Sequence, residues 1–165
     1  MASMATDSHM PGLAEPHYRE TVGQELEATL QELVDLALIG KQSHWAVVGP
    51  HFRSLHLQLD ELVDSWRELA DTVAERAVAL GYVPDGQSVA VSGGSQLAPV
   101  PRSSIADHVV VWEMTHRIAQ VSERVRVRMD RLGEIDAASQ DVVIDVLRTL
   151  EQQQWMLRAQ LAKEA

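Results

Sequence analysis

Residues 50–80 read PHFRSLHLQLDELVDSWRELADTVAERAVAL, and a single period runs through them. Phe52, Leu55, Leu59, Leu62, Trp66, Leu69 and Val73 recur at alternating steps of three and four, which predicts one helix with an apolar face turned to a core. A second set of side chains keeps the same period on another face. His56 and Asp60 are i, i+4 neighbours, as are Asp71 and Glu75, so each pair can converge on one ion from adjacent turns. At ~100° per residue the two pairs share one stripe, rotated roughly 140° from the apolar one. They therefore point away from the chain's own core.

His44 lies upstream, at the start of HWAVVGPHFRSLHLQLDE (44–61), in line with Leu30, Leu33 and Ala37 of a preceding helix. Two imidazoles and three carboxylates without a thiolate suit iron, zinc or manganese, and lean toward iron. Asp60 and Asp71 are separated by close to three full turns, roughly 16 Å of rise, whereas paired metals sit only ~3.5 to 4 Å apart. One chain cannot close a site across that gap. An antiparallel copy related by a two-fold axis would carry its Asp71 and Glu75 to the His56 and Asp60 of the first, making two identical sites across an isologous interface. Taken singly, acidic residues on an outward helix face are ordinarily just solvated, and His44 reads as a satisfied histidine near a helix end. The joint spacing is what points to a metal.

HWAVVGPHFRSLHLQLDE followed by ADTVAERAVALGYVP (70–84) resembles the two signature segments of the Dps family, the ferritin-like mini-ferritins of bacteria and archaea. The matching residues are His44-Trp45, Gly49 with Phe52, Leu55-His56 and Asp60-Glu61, then Asp71, Ala74-Glu75-Arg76, Leu80-Gly81 and Pro84. Ala70 departs from the pattern, standing where the family usually has a larger apolar residue. The resemblance implies an all-α, ferritin-like four-helix bundle with a long crossover between the second and third helices. Twelve such subunits would form a hollow shell, built from two-fold dimers with a two-iron ferroxidase centre at each shared interface. It places His44, His56 and Asp60 on one subunit and Asp71 and Glu75 on its mate. Trp45 would stand beside the centre, where it can donate an electron and contain a radical; an interface or core aromatic is the other reading. The function implied is oxidation of Fe²⁺ by hydrogen peroxide or dioxygen, storage of ferric mineral and protection from oxidative stress.

At 165 residues the chain is expected to be one domain with a substantial core. Residues 1–18 show little periodicity and read as a flexible tail, leaving 19–165 for the bundle. Helices are expected over about Val22–Trp45, 50–80, Ser104–Leu132 and Ala137–Ala162. Gly49-Pro50 makes the first turn short, so the first two helices run antiparallel. Residues 82–103 are rich in Gly, Ser and Pro, suited to a crossover with a short helical piece. With no cysteine, disulfides, thiolate zinc sites and thiol redox chemistry are excluded. No run of 18 apolar residues is present and no basic-then-apolar leader opens the chain, so the cytoplasm is the expected compartment.

The formal net charge is −10, which favours attraction of Fe²⁺ and repulsion of nucleic acid. Asp136, Asp141 and Asp145, near the start of the last helix, fall where the family's three-fold pores gather acids, and are expected to form a cation funnel. Glu113 and His116 form a Glu-x-x-His motif, but the two-motif di-iron bundle it belongs to would need a second, and Glu151 is followed by three Gln. The alternative function, a nucleoid protein that binds and compacts DNA, lacks basic tails: residues 1–18 hold neither Lys nor Arg, and Lys163 is the sole basic residue in the last seven. Arg124, Arg126, Arg128 and Arg131 make the one basic run, expected to be solvated or ion-paired. A non-catalytic helical assembly or surface antigen on the same scaffold is a third class.

Overall fold

Pro16 opens α1 (Pro16–Ala46), its fixed φ suiting a first helical position where no N–H partner is needed. The computed structural model describes residues 15–161. The helix buries Val22, Leu26, Leu30, Leu33, Leu36, Ala37 and Gly40, a broad face in contact with several other elements. After a two-residue strand β1 (Val47–Val48) the chain reverses at Gly49, whose φ of 136° is open to glycine and costly to other residues. A Cβ there would also meet the Asp107 carboxyl carbon at 2.7 Å. The Asp107 carboxylate fills that space and accepts the His51 N–H at 2.8 Å, pinning the turn.

The chain then enters α2 (Phe52–Ala79), antiparallel to α1. Leu55, Leu59, Leu62, Trp66 and Val73 are buried, as the period predicts. Gly40 of α1 lets the two helices approach, since a Cβ on it would strike the Trp66 ring at 2.7 Å. The buried Trp66 indole donates to Gln153 Oε1 at 2.7 Å, satisfying a donor that would otherwise be stranded in the core.

A crossover carries the short helix α3 (Ser88–Gly94) and the strand β2 (Ile105–Ala106), which pairs in parallel with β1. Helix α4 (Asp107–Gly133) then packs along α5 (Ala137–Ala159), whose N-cap Asp136 accepts the Ala138 N–H at 3.2 Å. Met114, Ile118, Val121 and Val125 of α4 and Val143, Leu150 and Leu157 of α5 are fully buried and complete the core. Each such side chain contributes about 1.5–3 kcal/mol. This is the all-α, ferritin-like bundle with its long crossover between the second and third long helices.

The structure adjusts several boundaries. The first helix begins at Pro16, so the end of the expected tail, Pro16 to Tyr18, is helical; the rest of that tail, residues 1–14, lies outside the described residues. The third long helix starts at Asp107 instead of Ser104, because Ile105 and Ala106 are drawn into pairing with Val47 and Val48. The last ends at Ala159, and residues 162–165 are likewise outside the description. Phe52, placed on the core stripe by its spacing, is exposed, because it sits on the first turn beyond the core and packs against His56 with ring centroids 5.0 Å apart.

The basic run of α4 is held from within. Glu32 of α1, less than 2% exposed, pairs with both Arg124 and Arg128. Arg126 pairs with Glu151, and Arg131 with Glu25 at 3.0 Å.

Candidate metal centre

His44 lies in the last turn of α1 and His56 in the second turn of α2, on either side of the turn that Gly49 and Asp107 fix. The two imidazoles stack with centroids 3.6 Å apart. Each Nδ1 meets the other residue's backbone carbonyl, His44 Nδ1 to His56 O at 3.0 Å and His56 Nδ1 to His44 O at 3.1 Å. A carbonyl oxygen only accepts, so both Nδ1 atoms carry the hydrogen and both Nε2 lone pairs are left for a metal. Asp60, one turn along α2, joins them: ligand atoms of His44, His56 and Asp60 lie within 4.8 Å of one another.

Lys41, one turn before His44 on α1, donates to the Asp60 carboxylate. That hydrogen bond is the main reason the Asp60 carboxyl stays below the usual carboxylate range, with nearby His44 and His56 adding to it and partial burial opposing it. Asp60 is thus ionised and aimed, but shared with a cation of the chain's own. Sequence spacing missed Lys41; its place three residues before His44 was the available signal.

Asp71 and Glu75 are exposed further along α2 and do not join the cluster. The chain therefore assembles three of the five expected ligands, and the rise of the helix keeps the other two away. Trp45 is 70% exposed beside the centre, so it is not a core aromatic of this chain.

The other candidates resolve differently. Glu113 pairs with the buried Arg117, which also donates to the Ala98 carbonyl, while His116 lies tilted against Trp112 with centroids 3.8 Å apart. Arg117, held by Glu113, thus ties the crossover to α4, and Glu113 and His116 are not in a metal-ligand cluster among the described residues. Asp136 is buried as the cap of α5 and paired with Arg76 at 2.7 Å, whereas Asp141 and Asp145 are exposed, the latter 2.7 Å from Arg148.

A four-helix bundle with its long crossover, carrying a His/His/Asp cluster between the end of α1 and the start of α2, defines a ferritin-like protein. A family model described as the ferritin-like domain matches residues 23–165. Among relatives, the fine tangled pili major subunit of Haemophilus ducreyi is 37% identical over 161 residues, covering 94% of this chain and 82% of that one. The DNA protection during starvation protein of Mycolicibacterium smegmatis is 33% identical over 158 residues, covering 94% and 85%. Among solved structures, DpsA14 from Streptomyces coelicolor superposes with a TM-score of 0.85 at 36% identity, covering 93% and 91%. The chain belongs to the Dps family of ferritin-like proteins.

Proposed function

We propose that this protein oxidises Fe²⁺ at centres shared between two subunits and stores the ferric product inside a shell of twelve, acting in the cytoplasm against oxidative stress. The observation that carries this is the division of the ligand set: three groups converge on one spot between α1 and α2, and two stand exposed on α2 roughly 16 Å away. An antiparallel second copy supplies what each half lacks. In this reading His44, His56 and Asp60 hold one iron, Glu75 of the second copy reaches across, and Asp71 supports the histidines or binds the second iron.

Two Fe²⁺ ions each give one electron to H₂O₂; the O–O bond breaks, two protons are taken up and two waters leave with two Fe³⁺ formed. Pairing the electrons avoids release of hydroxyl radical, and dioxygen is the alternative oxidant. Trp45, exposed beside the cluster, is placed to yield an electron if only one iron is present. We assign the cation funnel to Asp141 and Asp145, with Asp136 serving as the cap of α5.

The nucleoid reading finds less support. Arg124, Arg126, Arg128 and Arg131 are all paired with carboxylates, so the one basic run offers little to phosphates. Against a purely architectural role stands the prepared cluster itself: the reciprocal imidazole contacts leave both Nε2 atoms free.

Complementation tests the proposal. His56→Ala and Glu75→Ala should each abolish fast Fe²⁺ oxidation while the particle stays assembled. Dissociated and mixed in equal amounts, they should regain about a quarter of wild-type activity, since half the dimers are hybrids with one intact site of two. No recovery in confirmed hybrids would mean that all ligands come from one chain. Anaerobic titration should consume two Fe²⁺ per H₂O₂.

A further inference from the structure

The ligand-bearing face of α2 also carries a charge pair that the metal centre does not use. Asp64 and Arg67 lie on the same stripe as Asp60 and Asp71, within roughly 60° of them at ~100° per residue. Their side chains are 73% and 58% exposed and their nearest charged atoms are 3.8 Å apart, at the outer limit of an ion pair. Such an exposed pair within one helix contributes little. Beside it the surface is partly apolar: Leu38 and Trp45 of α1 are both more than half exposed. Leu38, Lys41, Trp45 and Arg67 line one open groove. A face that pairs exposed aromatic and aliphatic groups with unspent charge fits a protein partner.

The occupant is a second copy of this chain, and the inference rests on the shared-site reading above. The antiparallel placement that brings Glu75 of one copy to His56 of the other, and Asp71 to Asp60, puts the two-fold axis level with the peptide between Ser65 and Trp66. His56 lies as far before that point as Glu75 lies after it, and Asp60 as far as Asp71. Asp64 and Arg67 are the next pair inward, equally far on either side. We infer that two reciprocal Asp64–Arg67 ion pairs, one on each side of the two-fold axis, join the copies and set the register that completes both metal centres.

The same charges oppose the wrong registers. Sliding one helix past the other by three residues in one direction sets Asp64 opposite Asp64. The same slide in the other direction sets Arg67 opposite Arg67. Either slip also parts the ligands, so charge complementarity and site completion select one alignment.

Charge exchange tests this in a way that separates contacts between copies from the contact within one helix. Asp64→Arg alone and Arg67→Asp alone each place like charges on both sides of the axis, and each should raise the dimer dissociation constant at least about tenfold. Fe²⁺ oxidation should fall with the dimer population. Mixed in equal amounts, the two variants form hybrids in which both contacts between copies are attractive and both within a helix are repulsive. Hybrid mass by native mass spectrometry and Fe²⁺ oxidation should then both recover toward wild type. Single variants that dimerise as well as wild type overturn the inference. So does a mixture that shows no recovery while Asp64→Arg/Arg67→Asp in one chain does, since the pairing would then be within the helix. If the inference fails in either way but the His56→Ala and Glu75→Ala mixture regains activity, the shared centre stands without this lock. A wild-type chain that stays monomeric overturns both.

Discussion

Replacing Lys41 by Gln removes the cation that pairs with Asp60 of the metal cluster, and two opposing effects follow. The Lys41 ammonium sits on the Asp60 carboxylate, which a divalent ion must share. With Nζ about 5 Å from an ion bound there, a unit charge acting on a double charge in a water-like dielectric weakens binding roughly 15-fold at low salt. Screening at ~0.15 M salt reduces that to about fivefold. Against this, the ammonium holds Asp60 in place. Both side chains are partly exposed, 28% and 38%, so losing that contact is an exposed ion-pair effect of at most a few-fold. Repulsion wins, and Lys41→Gln should bind metal about three- to tenfold more tightly, with the margin growing as salt is lowered. Calorimetric titration of iron-free protein with Zn²⁺, which does not change oxidation state, at ~0.02 M and ~0.15 M salt measures it. Equal or weaker binding at both salts would refute the reasoning and make Lys41 a positioning residue for Asp60.

Glu32→Ala should be among the most damaging single changes, because it leaves Arg124 and Arg128 facing a hole without a counter-ion. The cost is about 3–5 kcal/mol, a fall in Tm of roughly 10 °C by circular dichroism of iron-free protein, with Glu32→Gln in between. Tyr82 gives a pH signature: burial and its hydroxyl's hydrogen bond to Glu27 push its pKa up to about 12. Since the raised value favours the neutral form, its contribution to stability is full below pH ~10 and lost as pH rises from there through 12. Urea midpoints should drop over that window and Tyr82→Phe should flatten the drop. For DNA, untagged iron-free protein at ~0.15 M salt should leave plasmid unretarded in a gel shift; salt-sensitive retention would show that the net charge of −10 and the paired arginines do not decide the matter.

Period and punctuation carried the fold. The alternating steps of three and four from Leu55 to Val73, Gly49 at the reversal and the Gly/Ser/Pro-rich crossover each act within a few residues, so each leaves a local mark. His44, His56 and Asp60 were legible for the same reason, spaced by turns of helix and joined by one tight connection. Contacts between distant segments were not. Glu32 looks like a flaw on an inward face until Arg124 and Arg128, more than ninety residues on, reach it. Asp136 reads as a cap or favourable charge at the start of the last helix, and it is the cap; what the sequence does not show is Arg76 reaching it from α2. Phe52 shows the converse: correct periodicity still leaves a side chain exposed where the helix has outrun its neighbours.

The crossed contacts of His44 and His56 bear on how cargo is let go. Each ring spends its Nδ1–H on the other's main chain, on the side of the ring away from Nε2, so the contact does not compete with an ion for the same nitrogen. The strap between α1 and α2 therefore stays fastened as an ion comes and goes, so the site can empty without loosening the hairpin that built it and refill unchanged in shape.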